Sequence, residues 1–339
     1  MKQSPGRRAF LPSTLLMCLL LAAVLYAGLR FGAAPLTHEQ IMGALKNLPD
    51  HQSSRIILLF LRLPRVLAGL LAGGALAAAG LLLQTVTANP LCAPNIIGVN
   101  AGAGFGMMLV MCLFPALHTL QPLAAFLGAF GASMLVIFLA SAAGGRRSMS
   151  RSTLVLAGVA LSSVLSAGIS ALSLTYPDLL ASYAAFSVGG LTGVTAEQLY
   201  LPAAVILPAL LCAYLLIPRL SLLCLGDSMA QSLGVRVRRL RVLSTALASL
   251  LCAAVVSYAG LLGFVGLMVP HAARKIAGTS LYRQMSASLL LGGILVVGAD
   301  LLGRVLFAPS ELPVGILMAV LGAPFFLFLL LRRRGGEAL

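Results

Sequence analysis

The feature that most constrains this sequence is the length of its uncharged stretches. Between Arg241 and Arg274 the chain runs through residues 242–273, 32 in all, without a charged side chain. Only 9% of the 339 residues are charged, whereas soluble domains carry about 25%. No hydrophilic block is long enough to form a soluble domain. The sequence therefore predicts an all-α integral membrane protein, surrounded by lipid rather than by water.

Apolar stretches of about 20 residues, the length of a membrane helix, recur along the whole chain. As one helix, residues 242–273 would extend roughly 48 Å at 1.5 Å per residue, too long for a hydrocarbon core of about 30 Å. The glycines at 260, 263 and 266 and Pro270 favour a break there, and the total becomes ten transmembrane helices. The predicted spans are about 10–29, 66–84, 96–117, 122–142, 154–174, 199–217, 242–259, 261–273, 286–305 and 313–331.

Basic side chains predict the orientation of these spans. The stretches before the first span and after the last are both basic, which places both termini in the cytoplasm and requires an even number of spans. Ten spans leave seventeen Lys and Arg residues inside and six outside. The first apolar run is longer than the core of a signal peptide and lacks a clear cleavage motif, so we expect a retained first span. The six Lys and Arg residues predicted on the outer side are Arg30, Lys46, Arg55, Arg62, Arg65 and Arg304.

Composition argues against several other functions. The formal charge of +15 is a topology signal that also attracts anionic lipid heads, and we expect no nucleic-acid partner. The six cysteines are scattered without a CxxC pair, and the four histidines show no ligand spacing, so we expect neither a metal site nor catalytic residues. The chain contains no G-x-x-x-x-G-K-[ST] phosphate loop. It is therefore not expected to be an enzyme.

Only one acidic residue, Asp300, falls inside a predicted span, with Arg304 at i+4 on the same helix face. A proton or ion site is one interpretation, but a local ion pair near the helix end is favoured because proton relays need several such groups. An ion-coupled secondary transporter is correspondingly disfavoured. On the predicted outer side, Arg62 and Arg65 lie on either side of Pro64 at the start of a span.

The stretch 87–106, TANPLCAPNIIGVNAGAGFG, joins the second and third spans. Pro90 biases Asn89 away from helix, and four glycines allow close backbone approach or unwinding. Irregular backbone at membrane depth is tolerated where it lines a cavity, which favours a permeation path, whereas small residues also serve helix packing. Both interpretations stay open at this point.

The stretch 225–241, LGDSMAQSLGVRVRRLR, predicts a short amphipathic helix. Asp227 can cap it after Gly226, and Gly234 can end it. Such a helix could lie on the lipid surface or fit a groove on a cytoplasmic partner, and the pattern does not separate the two. Its predicted apolar face consists of Met229, Ala230 and Leu233.

Four motifs occur in order between about residues 60 and 331. They are RLPRVLAGLLAGGALAAAGLLLQTVTANPLCAPNIIGVNAGAG, LGDSMAQSLGV, GLLGFVGLMVPHAARKIAG and ADLLGRVLFAPSELPVGILMAVLGAPFFLFLL. Together they resemble the iron-siderophore/cobalamin (haem) permeases, the FecCD family of ABC importers. The resemblance implies a type II ABC importer permease architecture that works by alternating access.

The same resemblance implies partners and a cargo. We expect a homodimer or a pair with a paralogous permease, two cytoplasmic ATPase subunits, and a periplasmic or lipid-anchored substrate-binding protein. ATP and Mg would be bound by the ATPase, and no cofactor by this chain. The expected location is the bacterial cytoplasmic (inner) membrane. The expected cargo is a ferric siderophore, with cobalamin or haem as the alternative.

Carried onto this sequence, the resemblance also implies site residues. The expected ATPase-coupling residues are Gly226, Asp227, Met229, Ala230, Leu233 and Gly234. The expected cytoplasmic gate consists of Asn89, Pro90, Leu91, Ser150, Arg151 and Ser152. Docking of the binding protein is expected at Arg62, Arg65 and Arg304, with lipid anchoring or the Asp300 pair as alternatives. Translocation-path candidates are Gln84, Met107, Met108 and Met111, and for the methionines plain helix packing is the alternative.

Overall fold

Apolar runs that end at glycine, proline or polar residues give this chain its helices. The computed structural model describes residues 7–32, 34–143 and 151–334, and strands are absent from that part of the chain. A π-helical turn, Ile57–Arg62, leads into the fourth helix. The helices are α1 Arg7–Arg30, α2 His38–Leu45, α3 Gln52–Ile56, α4 Leu63–Thr87, α5 Val99–Leu113, α6 Gln121–Ala143, α7 Arg151–Thr175, α8 Leu180–Val188, α9 Ala196–Leu223, α10 Asp227–Ser232, α11 Val237–Ala259, α12 Val265–Ala277, α13 Leu281–Leu306 and α14 Val314–Arg334.

Seven helical stretches of the described chain are long and apolar enough to cross a membrane. Two further apolar helices, Val99–Leu113 and Val314–Leu329, are shorter. The multi-pass membrane character is thus confirmed, while the count of ten and the location of the termini stay predictions. The seven are Phe10–Arg30, Pro49–Thr87, His118–Ala143, Ser152–Thr175, Ala196–Leu223, Val237–Ala259 and Leu281–Leu306.

Helix α4 lies at the centre of the bundle, in contact with α13, α11, α12 and α9. In the stretch Pro49–Thr87, which contains α4, 83% of the residues in the most apolar segment are buried inside the protein, against 6% in Phe10–Arg30 of α1. Small residues make this possible: a Cβ added to Gly73 would overlap the Gly292 carbonyl, and one added to Gly80 would overlap the Gly266 carbonyl. Close backbone approach through small residues is the usual way in which membrane helices gain packing energy.

The predicted break between α11 and α12 is confirmed at residues 260–264. Gly260 has φ 66° and ψ −158°, a conformation that only glycine adopts readily. Backbone groups freed there are satisfied by the end of α8: Leu261 N donates to Phe186 O (3.2 Å), and Gly190 N donates to Ala259 O (2.9 Å). Pro270, expected to help form the break, lies within α12 instead.

The loop between α4 and α5 returns into the bundle rather than running over the surface. Ala88, at φ 46°, ends α4, and Asn89 N donates to Gln84 O at 3.2 Å. Pro94 contacts the Gly266 region of α12, and a Cβ on Gly158 of α7 would overlap the Ile96 carbonyl. Irregular backbone is therefore enclosed by protein on several sides.

The third predicted span, 96–117, is too long at both ends. Residues 94–97 form a 3₁₀ turn, and α5 begins only after Gly98, whose φ of 80° interrupts the helix. At the other end Pro115 biases Phe114 away from helical geometry, so α5 stops at Leu113. Fifteen residues give a helix of only about 22 Å.

Gly73 and its neighbour Gly74 provide a matched test of this packing. We expect Gly73→Ala to destabilise the protein by about 1–3 kcal/mol, because the new methyl group meets the Gly292 backbone. In Gly74→Ala the new methyl group makes only ordinary contacts with Leu289, at 3.5 Å from its side chain and 3.9 Å from its carbonyl oxygen, and the change should be neutral or stabilising by up to about 1 kcal/mol. Thermal unfolding in detergent measures both. Equal melting temperatures for the two variants would contradict the packing described here.

Candidate functional site

Polar side chains gather at both ends of the buried helix α4. Arg65 lies near its first residue and Gln84 near its last, about 28 Å apart at 1.5 Å per residue. That separation matches the thickness of a hydrocarbon core, about 30 Å. We call the two groups the α4-start cluster and the α4-end cluster. The first contains Arg62, Arg65, Asp300, Arg304 and Glu311, and the second contains Gln84, Asp227, Arg241 and Arg274.

Asp300 lies at the centre of the α4-start cluster and is 2% exposed. Arg65 holds it with Nε, 3.1 and 3.0 Å from the two carboxylate oxygens, and with Nη2 at 2.9 Å. The Arg304 Nε lies 3.2 Å from Asp300 Oδ2. The ion pair predicted from the i, i+4 spacing is thus confirmed, and a second guanidinium from α4 completes it.

Glu311, in the connection between α13 and α14, is the accessible member of this cluster. Its Oε2 accepts hydrogen bonds from Arg65 Nη1 at 2.7 Å and from Thr192 Oγ1 at 3.2 Å. Partial burial alone would raise the pKa of the Glu311 carboxyl, but the hydrogen bond and charge of Arg65, with Thr192 and Arg304, lower it below its ordinary value. Arg65 therefore joins a buried carboxylate to one nearer the surface.

Arg62 has a different set of partners. Its guanidinium donates to the backbone oxygens of Leu29 (2.8 Å), Arg30 (2.7 Å) and Ala34. The last carbonyls of a helix have no partner within the helix and lie at the negative end of its dipole. Arg62 therefore caps the end of α1 and fixes it to the start of α4.

The three arginines predicted to dock a binding protein lie at one end of the bundle, as expected, but they do not extend from it. Arg62, Arg65 and Arg304 are 5%, 8% and 3% exposed. Their guanidinium groups already bind Asp300, Glu311 and backbone carbonyls, including Gly28 O for Arg304. The Asp300 pair, weighed above as the alternative for Arg304, is present. Docking through these side chains stays a prediction.

In the α4-end cluster, Gln84 joins α4 to α12. It is 2% exposed, and its amide nitrogen donates to Gly266 O at 3.2 Å. Arg274 Nη2 donates to Gln84 Oε1 at 3.3 Å. Gln84, predicted as a path residue, thus forms part of a link between two helices at the wall of a cleft of about 480 Å³.

Arg241 connects three elements at the same end. It is 3% exposed, and its Nη2 donates to Asp227 Oδ1 (2.8 Å) and Oδ2 (2.7 Å) on α10. Its Nε donates to Val86 O at 3.3 Å, in the last turn of α4. Asp227 was expected to cap α10, but it is the first residue of the helix after Gly226, and its carboxylate pairs with Arg241 instead.

The short helix predicted at residues 226–234 is confirmed as α10, Asp227–Ser232, between Gly226 (φ 105°) and Gly234 (φ 83°). The prediction that Met229, Ala230 and Leu233 share one apolar face is wrong, because they lie on two different sides. Ala230 is fully buried against the bundle, whereas Met229 and Leu233 are 52% and 53% exposed. The exposed pair remains available to a partner.

The first segment of the predicted gate lies beside α10. Asn89 Oδ1 accepts a hydrogen bond from Leu91 N at 3.0 Å, which stabilises a tight turn. Ala88 and Pro90 line the same cleft as Gly226 and Arg274. The structure thereby brings the predicted gate loop and the predicted coupling segment together.

The second gate segment is only partly described. Ser150 lies outside the described residues, and of Arg151 only the backbone is described, as the first residue of α7. Ser152 follows in the first turn of α7. The contact between Gly158 and Ile96 brings the early part of α7 against the α4–α5 loop.

The three methionines proposed for the path are packed inside the chain. Met107, Met108 and Met111 are 8%, 0% and 5% exposed. This burial agrees with helix packing, the alternative given with the prediction, and a place in the path stays a prediction. A small cavity instead lies where the α4–α5 loop meets the break before α12, and its lining includes Asn95 and Asn100.

Arg241 and Glu311 are functional candidates to which motif matching assigned no role. Arg241 and Asp227 are 14 residues apart in sequence, and Arg65 and Glu311 are 246 apart. Such distances carry no periodic signal. The one available indication was chemical, since a buried arginine beside an apolar span requires an acidic or carbonyl partner.

Comparisons with known proteins agree on one family. The model of the FecCD transport family matches residues 19–332. The Fe(3+)-citrate import system permease protein YfmE of Bacillus subtilis (strain 168) is 37% identical over 323 residues, covering 93% of this chain and 95% of that protein. The ferric enterobactin transport system permease protein FepD of Escherichia coli (strain K12) is 39% identical over 335 residues, covering 98% of each.

One solved structure, described as an inward-facing conformation of a metal-chelate type ABC transporter, has the same fold. It superposes with a TM-score of 0.83 at 29% sequence identity and covers 95% of this chain and 99% of that one. The similarity in fold therefore extends over nearly the whole molecule.

Asp300 and Glu311 test the energetics of the α4-start cluster. Asp300→Asn should destabilise the protein by about 3–5 kcal/mol, because it leaves Arg65 and Arg304 buried without their shared counter-charge. Glu311→Gln should cost at most about 1 kcal/mol, since the side chain is 31% exposed and water screens its pair. Chemical unfolding in detergent measures both. If Asp300→Asn were as mild as Glu311→Gln, the cluster would not have the stabilising role assigned to it.

Proposed function

The chain belongs to the FecCD transport family, and we propose that it is the membrane-spanning permease subunit of an ATP-driven ABC importer for ferric siderophores and related iron chelates. The iron chelates in the names of its relatives support the cargo, and the fold shared with a metal-chelate type transporter supports the architecture. Cobalamin or haem on the same scaffold is the alternative cargo.

One observation carries the mechanism: Gly226, the residue immediately before α10, lines one cleft together with the predicted gate loop and the last turn of α4. Met229 on α10 and Leu233 immediately after it are exposed, where an ATPase subunit would contact them. Behind them, Arg241 connects Asp227 of α10 to Val86 of α4. A displacement of α10 therefore acts on the residues immediately before Asn89 and Pro90.

Alternating access would follow from the different attachment of the two ends of α4. At its start, two carboxylates and three arginines fix the helix to α1, α13 and the following connection. At its end, the contacts of Arg241 with Val86 O and of Arg274 with Gln84 are longer, 3.3 Å each, and Arg274 and Gln84 line a cleft. ATP binding would favour one of two arrangements of the α4 end, with no chemistry on the cargo.

The proposed orientation places the α4-start cluster on the outer face and the α4-end cluster on the cytoplasmic face. Positively charged residues then accumulate inside, with both termini cytoplasmic and ten spans. The shorter helices α5, α12 and α14 would complete the ten together with the seven longer ones. We place the protein in the bacterial inner membrane.

The proposed assembly contains a second permease chain, either identical or paralogous, and two ATPase subunits that bind ATP and Mg. A substrate-binding protein would dock on the outer face. Arg65 is the docking arginine most easily engaged, because Glu311 already brings one of its hydrogen bonds near the surface. Arg62 and Arg304 would stabilise the structure of the outer face through their buried contacts.

An ion-coupled secondary transporter, the alternative from another class, is disfavoured by the environment of Asp300. A carboxylate held between two guanidinium groups forms a structural ion pair and is poorly suited to exchange protons or sodium ions during a transport cycle. Transport driven by an ATPase through α10 does not need a carboxylate that exchanges ions.

Reconstitution tests the proposed function directly. The permease, its ATPase and the binding protein are placed in proteoliposomes, and uptake of a labelled ferric siderophore is measured. We expect uptake only when the ATPase and ATP are both present. Uptake that persists without the ATPase, or that follows an imposed proton or sodium gradient, would contradict the proposal.

Arg241→Lys tests the proposed path of coupling in the same system. Lysine retains the charge but cannot hold both Asp227 oxygens and Val86 O in one planar fork. Because hydrogen bonds to charged groups contribute about 1.5–3 kcal/mol, we expect about tenfold less cargo moved per ATP hydrolysed. Arg238→Lys, an exposed neighbour on α11, is the control and should leave that ratio unchanged.

Two outcomes would contradict this role for Arg241. The first is a ratio of transport to hydrolysis that does not change in Arg241→Lys. The second is a loss of transport that arises only because the complex with the ATPase no longer assembles. Size-exclusion chromatography of the complex separates the second outcome from a change in coupling.

A further inference from the structure

A groove of about 550 Å³ lies between the end of α9 and the beginning of α11, next to α10. One part of it is charged and the other is aliphatic. The charged part is formed by Arg219, Arg236 and Arg239. The remaining lining residues are Leu216, Leu222, Leu233, Gly234, Val235, Leu240 and Leu243.

The charged part of the groove lacks a counter-charge. No acidic residue lines it, and none of its three arginines has an ion-pair partner within the part of the chain that the structure describes. The nearest acidic residue in the sequence, Asp227, is engaged by the buried Arg241. Three exposed guanidinium groups in one groove constitute a site for an anion, and phosphate matches the guanidinium fork best.

The aliphatic part of the groove continues onto surfaces that face lipid. On α9, Leu207, Leu211 and Leu215 are 58%, 63% and 70% exposed and lie on one helix face at i, i+4 and i+8. On α11, Leu243 is 52% exposed. In the proposed orientation, the groove then lies where the exposed apolar surface of two spans meets the charged boundary of the membrane, at the level of lipid headgroups.

We propose that this groove binds an anionic phospholipid, with its phosphate on the three arginines and its acyl chains along the leucines of α9 and α11. A soluble anion would make no use of the aliphatic part. An acidic segment of a partner protein would leave Leu216 and Leu243, which belong to the spans, without a contact. Basic pockets between membrane helices are known to hold lipid headgroups in this manner.

Occupancy of the groove would also affect α10. Leu233 and Gly234, at the end of the coupling segment, line the groove together with Arg236, the residue immediately before α11. A bound headgroup would hold the connection 233–236 and thereby fix α10 relative to α11. The site is thus a lipid site that borders the coupling segment, and its existence does not depend on the identity of the cargo.

Native mass spectrometry of the full-length, detergent-solubilised protein tests the proposal. The protein is titrated with phosphatidylglycerol and, separately, with phosphatidylcholine. We expect Arg239→Gln to weaken phosphatidylglycerol binding about fivefold, and Arg219→Gln with Arg236→Gln and Arg239→Gln together to weaken it about a hundredfold. Arg238→Gln removes the same charge from the adjacent, non-lining position of α11 and should change binding less than twofold.

Each other outcome overturns the proposal. Three outcomes would show only a general attraction to lipid. They are wild-type affinity for phosphatidylglycerol in the triple variant, a loss of affinity in Arg238→Gln as large as that in Arg239→Gln, and binding of phosphatidylcholine as tight as that of phosphatidylglycerol. Full displacement of the lipid by millimolar inorganic phosphate would show a simple anion site. Lost ATPase binding with unchanged lipid binding would assign the groove to the partner protein. If the triple variant does not fold, Arg239→Gln and Arg238→Gln, compared at equal melting temperature, decide the question.

Discussion

Close backbone contact around α4 is the constraint on which the rest of the structure depends. Lipid offers no hydrophobic driving force for helices to associate, so a helix that is covered by protein on nearly all sides needs small residues on several faces. Gly73 and Gly80 supply them against α13 and α12. Burial of the helix in turn encloses the polar groups at its two ends, and each of those groups then needs a partner.

The two ends meet that need in different ways, and the difference suggests how the molecule works. At the start of α4, Asp300 is held by two guanidinium groups at 2.9 to 3.2 Å, and Arg62 caps α1. At the other end, the bidentate pair of Arg241 is made with Asp227 of α10. The contacts described to α4 are single hydrogen bonds of 3.2 to 3.3 Å, from Arg241 to Val86 O, from Arg274 to Gln84 and from Gln84 to Gly266 O. We infer that α4 is fixed at its start and adjustable at its end, where energy from an ATPase would enter.

Local patterns in the sequence predicted a large part of this arrangement. The length of the apolar runs predicted a membrane protein, and the glycines predicted the break after Ala259. The i, i+4 spacing predicted the ion pair between Asp300 and Arg304. Sequence could not predict that Arg65 and Arg62 turn inward, because Asp300 lies 235 residues from Arg65 and the carbonyl partners of Arg62 lie 28 to 33 residues from it along the chain. It also assigned one apolar face to α10, since a six-residue helix does not reveal which side the bundle covers. Tertiary packing decided both points.

A joint motion of α10 and the end of α4 can be measured as a distance. Spin labels would be placed at Ser228 on α10 and at Ala88 after α4, two exposed positions, in a variant without reactive cysteines and in complex with the ATPase. Pulsed electron resonance would record the distance between them with and without ATP, together with the distance between the two Ala88 positions across a permease pair. We expect an unchanged distance from α10 to α4 and a change of several ångströms across the pair. A shift of α10 away from α4, with the distance across the pair unchanged, would contradict this expectation.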